Sequence, residues 1–239
     1  MAQTEVLYFP SVDACYLKEF DANVAEAGAD HVILDKTLFY AEAGGQPTDT
    51  GLLRWNGGEA MVWKVTKEKG VIKHYVDNLP PLGLVHGVID WERRHAHMRM
   101  HTSQHVLSGL VFKIFGARTV GNQIHADYSR VDFQPANFTD DDQRRIENEC
   151  NKVFSAGLPV TIFEEDRIAV ENRVDDRALM DLIPKSIRRL RIVKIQDADY
   201  CPCGGTHLRN TSEVGRMHIT ERRSKGRETD RIVYELLQA

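Results

Sequence analysis

At 239 residues, with 42% hydrophobic and 28% charged side chains, the chain can bury a real core as one large domain or two modest ones. A net charge of −4 does not by itself point to nucleic acid, and no window approaches the roughly 18 apolar residues of a membrane helix. Cys15, Cys150, Cys201 and Cys203 make no disulfide framework, and Met1–Pro10 has neither the basic nor the apolar region of an export signal, so a reducing, cytoplasmic setting is expected.

Residues 1–92 read as a small β-barrel domain. Short β-rich runs at Val6–Phe9, Cys15–Phe20, His31–Leu34, Gly51–Trp55, Ala60–Thr66, Val71–Val76 and Val85–Asp90 are separated by Gly, Asn and Pro turns. Asn56-Gly57-Gly58 is a hairpin signal. Ala22–Ala27 is rich in Ala and Glu and reads equally as helix. Gly44-Gly45-Gln46-Pro47 has two readings: a plain turn, or a loop whose paired glycines let backbone approach a ligand closely.

Residues 93–239 read as an α/β domain, making the whole chain α+β. A helix is expected over His95–Gly116, with Leu107, Leu110, Val111, Ile114 and Phe115 as its apolar stripe. His101 and His105, one turn apart, fall opposite that stripe with Phe112 on their side, so they read as a covered site and not as core. His97 and His101 form a rival pair in the same register; His97 reads as helix surface. Thr102 stands where a His-Glu-x-x-His metalloprotease carries its general base, which disfavours protease chemistry.

A strand pair over Gly121–Phe133 follows, then a helix capped by Thr139, favoured at its positive end by Asp140–Asp142 and closed by Gly157. Strands are expected at Val160–Glu164 and Leu190–Ile195, a short helix around Asp176–Leu182, and a hairpin of Gly215–Glu221 with Arg231–Leu236. Between these, Cys201-Pro-Cys-Gly-Gly-Thr-His207 sets a thiol and an imidazole four residues apart across a glycine pair that permits a tight bend. His101, His105, Cys203 and His207 together offer three nitrogens and one sulfur, a set suited to tetrahedral zinc; Cys201 is the rival thiol. Three ligands would leave one position open for water or substrate, whereas four would close the site.

Charge is unevenly spread. Met1–Arg94 holds 9 basic and 14 acidic residues, while Lys185–Arg231 holds 12 basic and 6 acidic. Arg222, Arg223 and Arg227 belong to that basic span, which flanks Cys203 and His207. A phosphate-bearing substrate needs such a surface, although solvated strand edges and hairpin turns explain each residue equally well.

His-Thr-x-x-His, followed about a hundred residues later by Cys-Gly-Gly-Thr-His, resembles the editing domain of alanyl-tRNA synthetase and, more closely, the free-standing AlaX editing proteins. Leu34–Gly51 is similar to the glycine-rich motif of that family's barrel domain. The resemblance covers nearly the whole chain. It implies His101 and His105 as the ligand pair, and a loop at Gly44, Gly45 and Gln46 that reaches the editing site and the tRNA acceptor end. It also implies hydrolysis of mischarged tRNA(Ala) in trans, chiefly seryl- and secondarily glycyl-tRNA(Ala), with no ATP-dependent activation and no membrane partner. The family's discriminating position lies in the strand region after the ligand helix, where Thr119 and Gln123 are candidates for reading the serine hydroxyl. The general base has no assigned residue. Two rivals remain at this stage: an RNA-binding module with structural zinc, and a metal-dependent hydrolase of a small ester or amide.

Overall fold

The computed structural model describes residues 4–174, 180 and 183–237. The chain divides into two compact units, Met1–His97 and Met98–Ala239. It is a mixed α+β protein in which strands predominate.

The first unit is a closed six-stranded barrel. Strands β2 (Glu19–Ala27), β3 (His31–Leu34), β5 (Gly51–Trp55), β6 (Gly58–Glu68), β7 (Val71–Val76) and β8 (Gly83–Ile89) close in the order β2-β3-β7-β6-β5-β8. Two short strands, β1 (Glu5–Val6) and β4 (Lys36–Thr37), pair in parallel outside it. The Ala- and Glu-rich stretch at Ala22–Ala27 is strand, not helix. Phe20, Ala22 and Val24 point into the core while Glu19, Asp21 and Asn23 point out, a period of two that small inward residues had hidden. The strand expected over Cys15–Phe20 starts as a 3-10 turn at Asp13–Tyr16, and that over Val6–Phe9 shortens to β1. Asn56-Gly57 makes the β5–β6 hairpin, with Trp55 facing Gly58 and Gly57 at φ +99°.

Helix α1 (Trp91–Phe115) begins four residues before the expected His95. The overlooked signal is Asp90, whose carboxylate accepts the Arg93 amide at 3.2 Å while its carbonyl accepts the Arg94 amide at 3.0 Å, as an N-cap does. Gly116 ends the helix at φ +69°, its amide on the Phe112 carbonyl.

In the second unit, β9 (Arg118–Ile124), β10 (Tyr128–Gln134), β14 (Arg216–Gly226) and β15 (Thr229–Leu237) form an antiparallel sheet in the order β14-β15-β10-β9. The later turns of α1 are tied to it: the Ser103 and Tyr234 hydroxyls meet at 3.0 Å, and Arg99 donates to the Leu237 carbonyl of β15 at 3.1 Å. Helix α2 (Asp140–Ser155) carries the expected cap, a reciprocal box between Thr139 and Asp142. Strands β11 (Val160–Asp166), β12 (Arg189–Ile195) and β13 (Asp199–Pro202) form a second sheet. A one-turn helix, α3 (Arg167–Glu171), was not foreseen; Asp166 caps it by accepting the Ile168 amide at 2.9 Å. The short helix expected around Asp176–Leu182 lies outside the described residues apart from Met180.

Candidate metal centre and its surroundings

Four donors from two distant stretches converge. His101 and His105 come from α1, and Cys203 and His207 from the loop after β13; one ligand atom of each lies within 4.8 Å of the other three. Cys203 Sγ is 3.5 Å from His101 Nε2 and 3.5 Å from His207 Nε2. A nitrogen at about 2.0 Å and a sulfur at about 2.3 Å from one tetrahedral ion would themselves be about 3.5 Å apart. The donor set therefore fits a metal ion in both chemistry and spacing.

Both helix histidines are buried, His101 at 3% exposure and His105 at 6%. This corrects their separation from the core: α1 is enclosed on this side as well as on its Val106, Leu107 and Val111 side. His97, read as helix surface, is buried too, at 1% exposure. The four-donor group does not include it.

Four groups hold the donors in place, and two of them, Thr102 and Gly205, lie within the sequence motifs. Asp199 Oδ2 is 2.7 Å from His105 Nδ1, which turns Nε2 towards the cluster. Thr102 Oγ1 lies 3.3 Å from His207 Nδ1 and accepts the Leu208 amide at 3.1 Å, so the residue that replaces a protease glutamate orients a ligand. Arg191 pins the loop: its guanidinium donates to the Cys203 carbonyl at 2.6 Å, and its own carbonyl accepts the Cys203 amide at 3.1 Å. The Gly205 amide donates to Cys203 Sγ at 3.3 Å. The bend at Gly204-Gly205 is made without left-handed backbone.

Electrostatics favour an ionised sulfur. Burial pushes the Cys203 thiol up, but the charges of His101 and His105 outweigh it and hold it well below its usual range. Burial likewise opposes the His105 imidazolium, yet the Cys203 charge and the Asp199 hydrogen bond carry its pKa up to about 10. For His207, burial and the charge of His101 push the pKa well below the ordinary value, so its ring stays neutral. The thiolate and the neutral His207 suit metal ligation as they stand, whereas a metal ion would have to displace the proton that His105 holds against Cys203.

The remaining expected site residues scatter. Thr119 faces α1, its hydroxyl 2.8 Å from that of Ser108, which in turn accepts the Gln104 amide at 2.9 Å. Gln123 pairs in register with Arg130, on the other face of β9, because a bulge at Asp132/Phe133 shifts the alternation between the two candidates. Gly44 and Gly45 form a turn with φ +58° and +86°, closed by backbone bonds between Ala43 and Gln46; Gln46 itself is buried. Arg222 is engaged by Asp140 at 3.0 Å and Arg223 by Glu221 at 2.7 Å, while Arg227 sits in the β14–β15 turn at φ +50°. No described helix is long and apolar enough to cross a membrane.

Comparison with known proteins matches residues 5–93 to the family described as tRNA synthetases class II (A), and residues 190–233 to the threonyl and alanyl tRNA synthetase second additional domain. The alanyl-tRNA editing protein AlaX-M of Methanosarcina acetivorans is 40% identical over 98% of this chain and 99% of its own length. AlaX-M of Methanosarcina barkeri is 38% identical over the same shares. The alanine–tRNA ligase of Thermococcus kodakarensis is 39% identical over 98% of this chain, which spans 26% of that enzyme.

Proposed function

The chain belongs to the AlaX family of alanyl-tRNA editing proteins, and we propose that it is a zinc-dependent deacylase that clears seryl-tRNA(Ala) first and glycyl-tRNA(Ala) second. The observation that carries this reading is the cluster of the buried His101, His105 and His207 with the half-buried Cys203, with Asp199 and Thr102 against its rings. Held by all four donors, zinc would have no free tetrahedral position, so it would polarise the ester carbonyl or a water only through an added fifth position, and would otherwise shape the pocket. The chain's own residues present one thiolate and three imidazole nitrogens at matching spacing, and their enclosure keeps bulk water from screening that charge.

Selectivity follows from what a synthetase pocket cannot do. A small apolar pocket rejects neither an isostere with one added hydroxyl nor a smaller side chain by much, so a second site must hydrogen-bond the hydroxyl. Of the two candidates, Thr119 is the better placed, since it shares the α1 side of the sheet with Ser108 and Gln104. Gly44 and Gly45 offer exposed backbone for the acceptor end, whereas the buried Gln46 shapes its turn. The deciding assay follows hydrolysis of seryl-, glycyl- and alanyl-tRNA(Ala) by metal-loaded protein. Seryl-tRNA should be cleaved fastest and alanyl-tRNA slowest, with Thr119→Val narrowing the gap. Equal rates on seryl- and alanyl-tRNA would overturn the assignment.

A further inference from the structure

The second unit also carries a cavity of about 700 Å³. Its helix side is the part of α1 beyond His105, with Gly109, Phe112 and Lys113 at the i, i+3, i+4 spacing of one helix face. Its sheet side belongs to β11, β12 and β13, where Thr161, Lys194 and Tyr200 stand in register and Phe163 follows Thr161 on the same face. The Phe163 and Tyr200 rings lie 6.5 Å apart, and Tyr200 is fixed by a hydrogen bond to Glu165 and by Arg173 over its ring at 5.3 Å. None of the four metal donors belongs to this wall. Asp199 stands between, its carboxylate 2.7 Å from His105 Nδ1, so an ester joined to a ligand in the cavity would meet Asp199 and not the cluster.

We propose that this cavity is a regulatory site for a free mononucleotide, separate from the editing site and linked to it through Asp199; the linkage rests on the metal reading above. The size suits a mononucleotide. Phe112, Phe163 and Tyr200 offer aromatic surface on which a base can stack. Lys113 and Lys194 are exposed and have no ion-pair partner among the described residues, which leaves both ammonium groups for a phosphate. Arg173 does not compete for it, being paired with Glu165 at 2.9 Å. Asp197 adds an acceptor for a ribose hydroxyl or a base amine. Asp199 lies between Asp197 and Tyr200 in the chain, so a ligand held by those two bears on the carboxylate that orients His105. A bound phosphate also brings negative charge towards a site that would hold a cation. Nucleotide and metal should therefore tighten each other's binding, by the same factor in both directions.

Calorimetric titration of the full chain with adenosine 5′-monophosphate, zinc-loaded and metal-free, tests this without requiring turnover. The nucleotide should bind both forms, about fivefold tighter to the zinc-loaded one, and chelator competition should show zinc held about fivefold tighter when the nucleotide is present. The double variant Lys113→Ala/Lys194→Ala should weaken the nucleotide about tenfold and leave the weaker binding of adenosine unchanged, because only phosphate contacts are removed. Phe112→Ala should weaken both ligands about tenfold, within the range of one lost base stack. Should Phe112→Ala fail to fold, the exposed lysine pair still decides. Neither uncharged tRNA nor the trinucleotide cytidylyl-cytidylyl-adenosine should displace the nucleotide. Absence of nucleotide binding, or equal affinity with and without zinc, would overturn the assignment. Displacement by the trinucleotide would overturn it too, making the cavity part of the substrate's path. If the chain takes up no zinc but binds the nucleotide in a lysine-dependent way, the metal reading fails and the nucleotide site stands.

Discussion

Each unit buries a cluster of ionisable side chains, and the two clusters are built on opposite plans. In the first, Arg94 and Asp49 are both fully buried and every group has a partner. Arg94 donates to Asp49, to the Leu38 carbonyl at 2.6 Å and to the Cys15 carbonyl at 3.2 Å, while the Asp49 carboxylate also takes the Tyr40 amide at 2.8 Å. In the second, His101, His105, Cys203 and His207 point their remaining donor atoms at one another. Three imidazoles and one thiol at this spacing contact one another and also form a donor set that a metal ion could complete. One cluster thus closes on opposite charges, and the other is a donor set into which an ion could fit.

Breaking the complete cluster should have the largest effect. Asp49→Ala strands a buried guanidinium and should cost about 3–5 kcal/mol, measured by urea unfolding, with the loss the same with and without chelator. A loss below about 1 kcal/mol would mean that the pair is solvated in solution.

His74 sharpens the contrast from within the barrel. Its Nε2 meets the Thr37 hydroxyl at 2.9 Å and its Nδ1 the Val32 carbonyl at 3.3 Å, an arrangement that suits the neutral ring; burial pulls its pKa down to about 4. Because the folded pKa lies below the unfolded value of 6.5, this stability is fully present above pH 6.5 and is lost as pH falls towards about 4. The loss amounts to ~3 kcal/mol over that window. Unfolding free energies at pH 7.5 and pH 4.5 should thus differ more for the wild type than for His74→Gln. Identical pH slopes would remove His74 from the account.

The open cluster should respond to changes one bond away from the metal. Asp199→Asn keeps shape and removes charge behind His105, and should weaken zinc affinity roughly 10–100-fold in chelator competition. Unchanged affinity would show that Asp199 does not orient the ligand.

The same contrast explains what could be read from the residues in advance. His101, His105, Cys203 and His207 were legible because each pair is local, four residues apart, and carries its chemistry in the residue type. The Thr139 cap and the glycine that closes α1 were legible for the same reason. Asp199 and Arg191 were not, because they reach the donors only after β12 and β13 pair and α1 packs beside them. Thr102 was visible only as a missing glutamate, since its partner His207 lies 105 residues away. The burial of His97 was not legible because an apolar stripe reveals one covered face of a helix and says nothing of a second.

The central claim is that the incomplete cluster is a zinc site with Cys203 as its sulfur ligand, and metal analysis of purified protein tests it most directly. Wild-type chain should carry about one zinc. Cys203→Ala should lose most of that zinc together with deacylation of seryl-tRNA(Ala), because the softest and only anionic donor is gone. Cys201→Ala, two residues away, should retain both. Zinc kept by Cys203→Ala and lost by Cys201→Ala would contradict the ligand assignment, and a wild-type chain that deacylates fully after its metal has been stripped would contradict the claim itself.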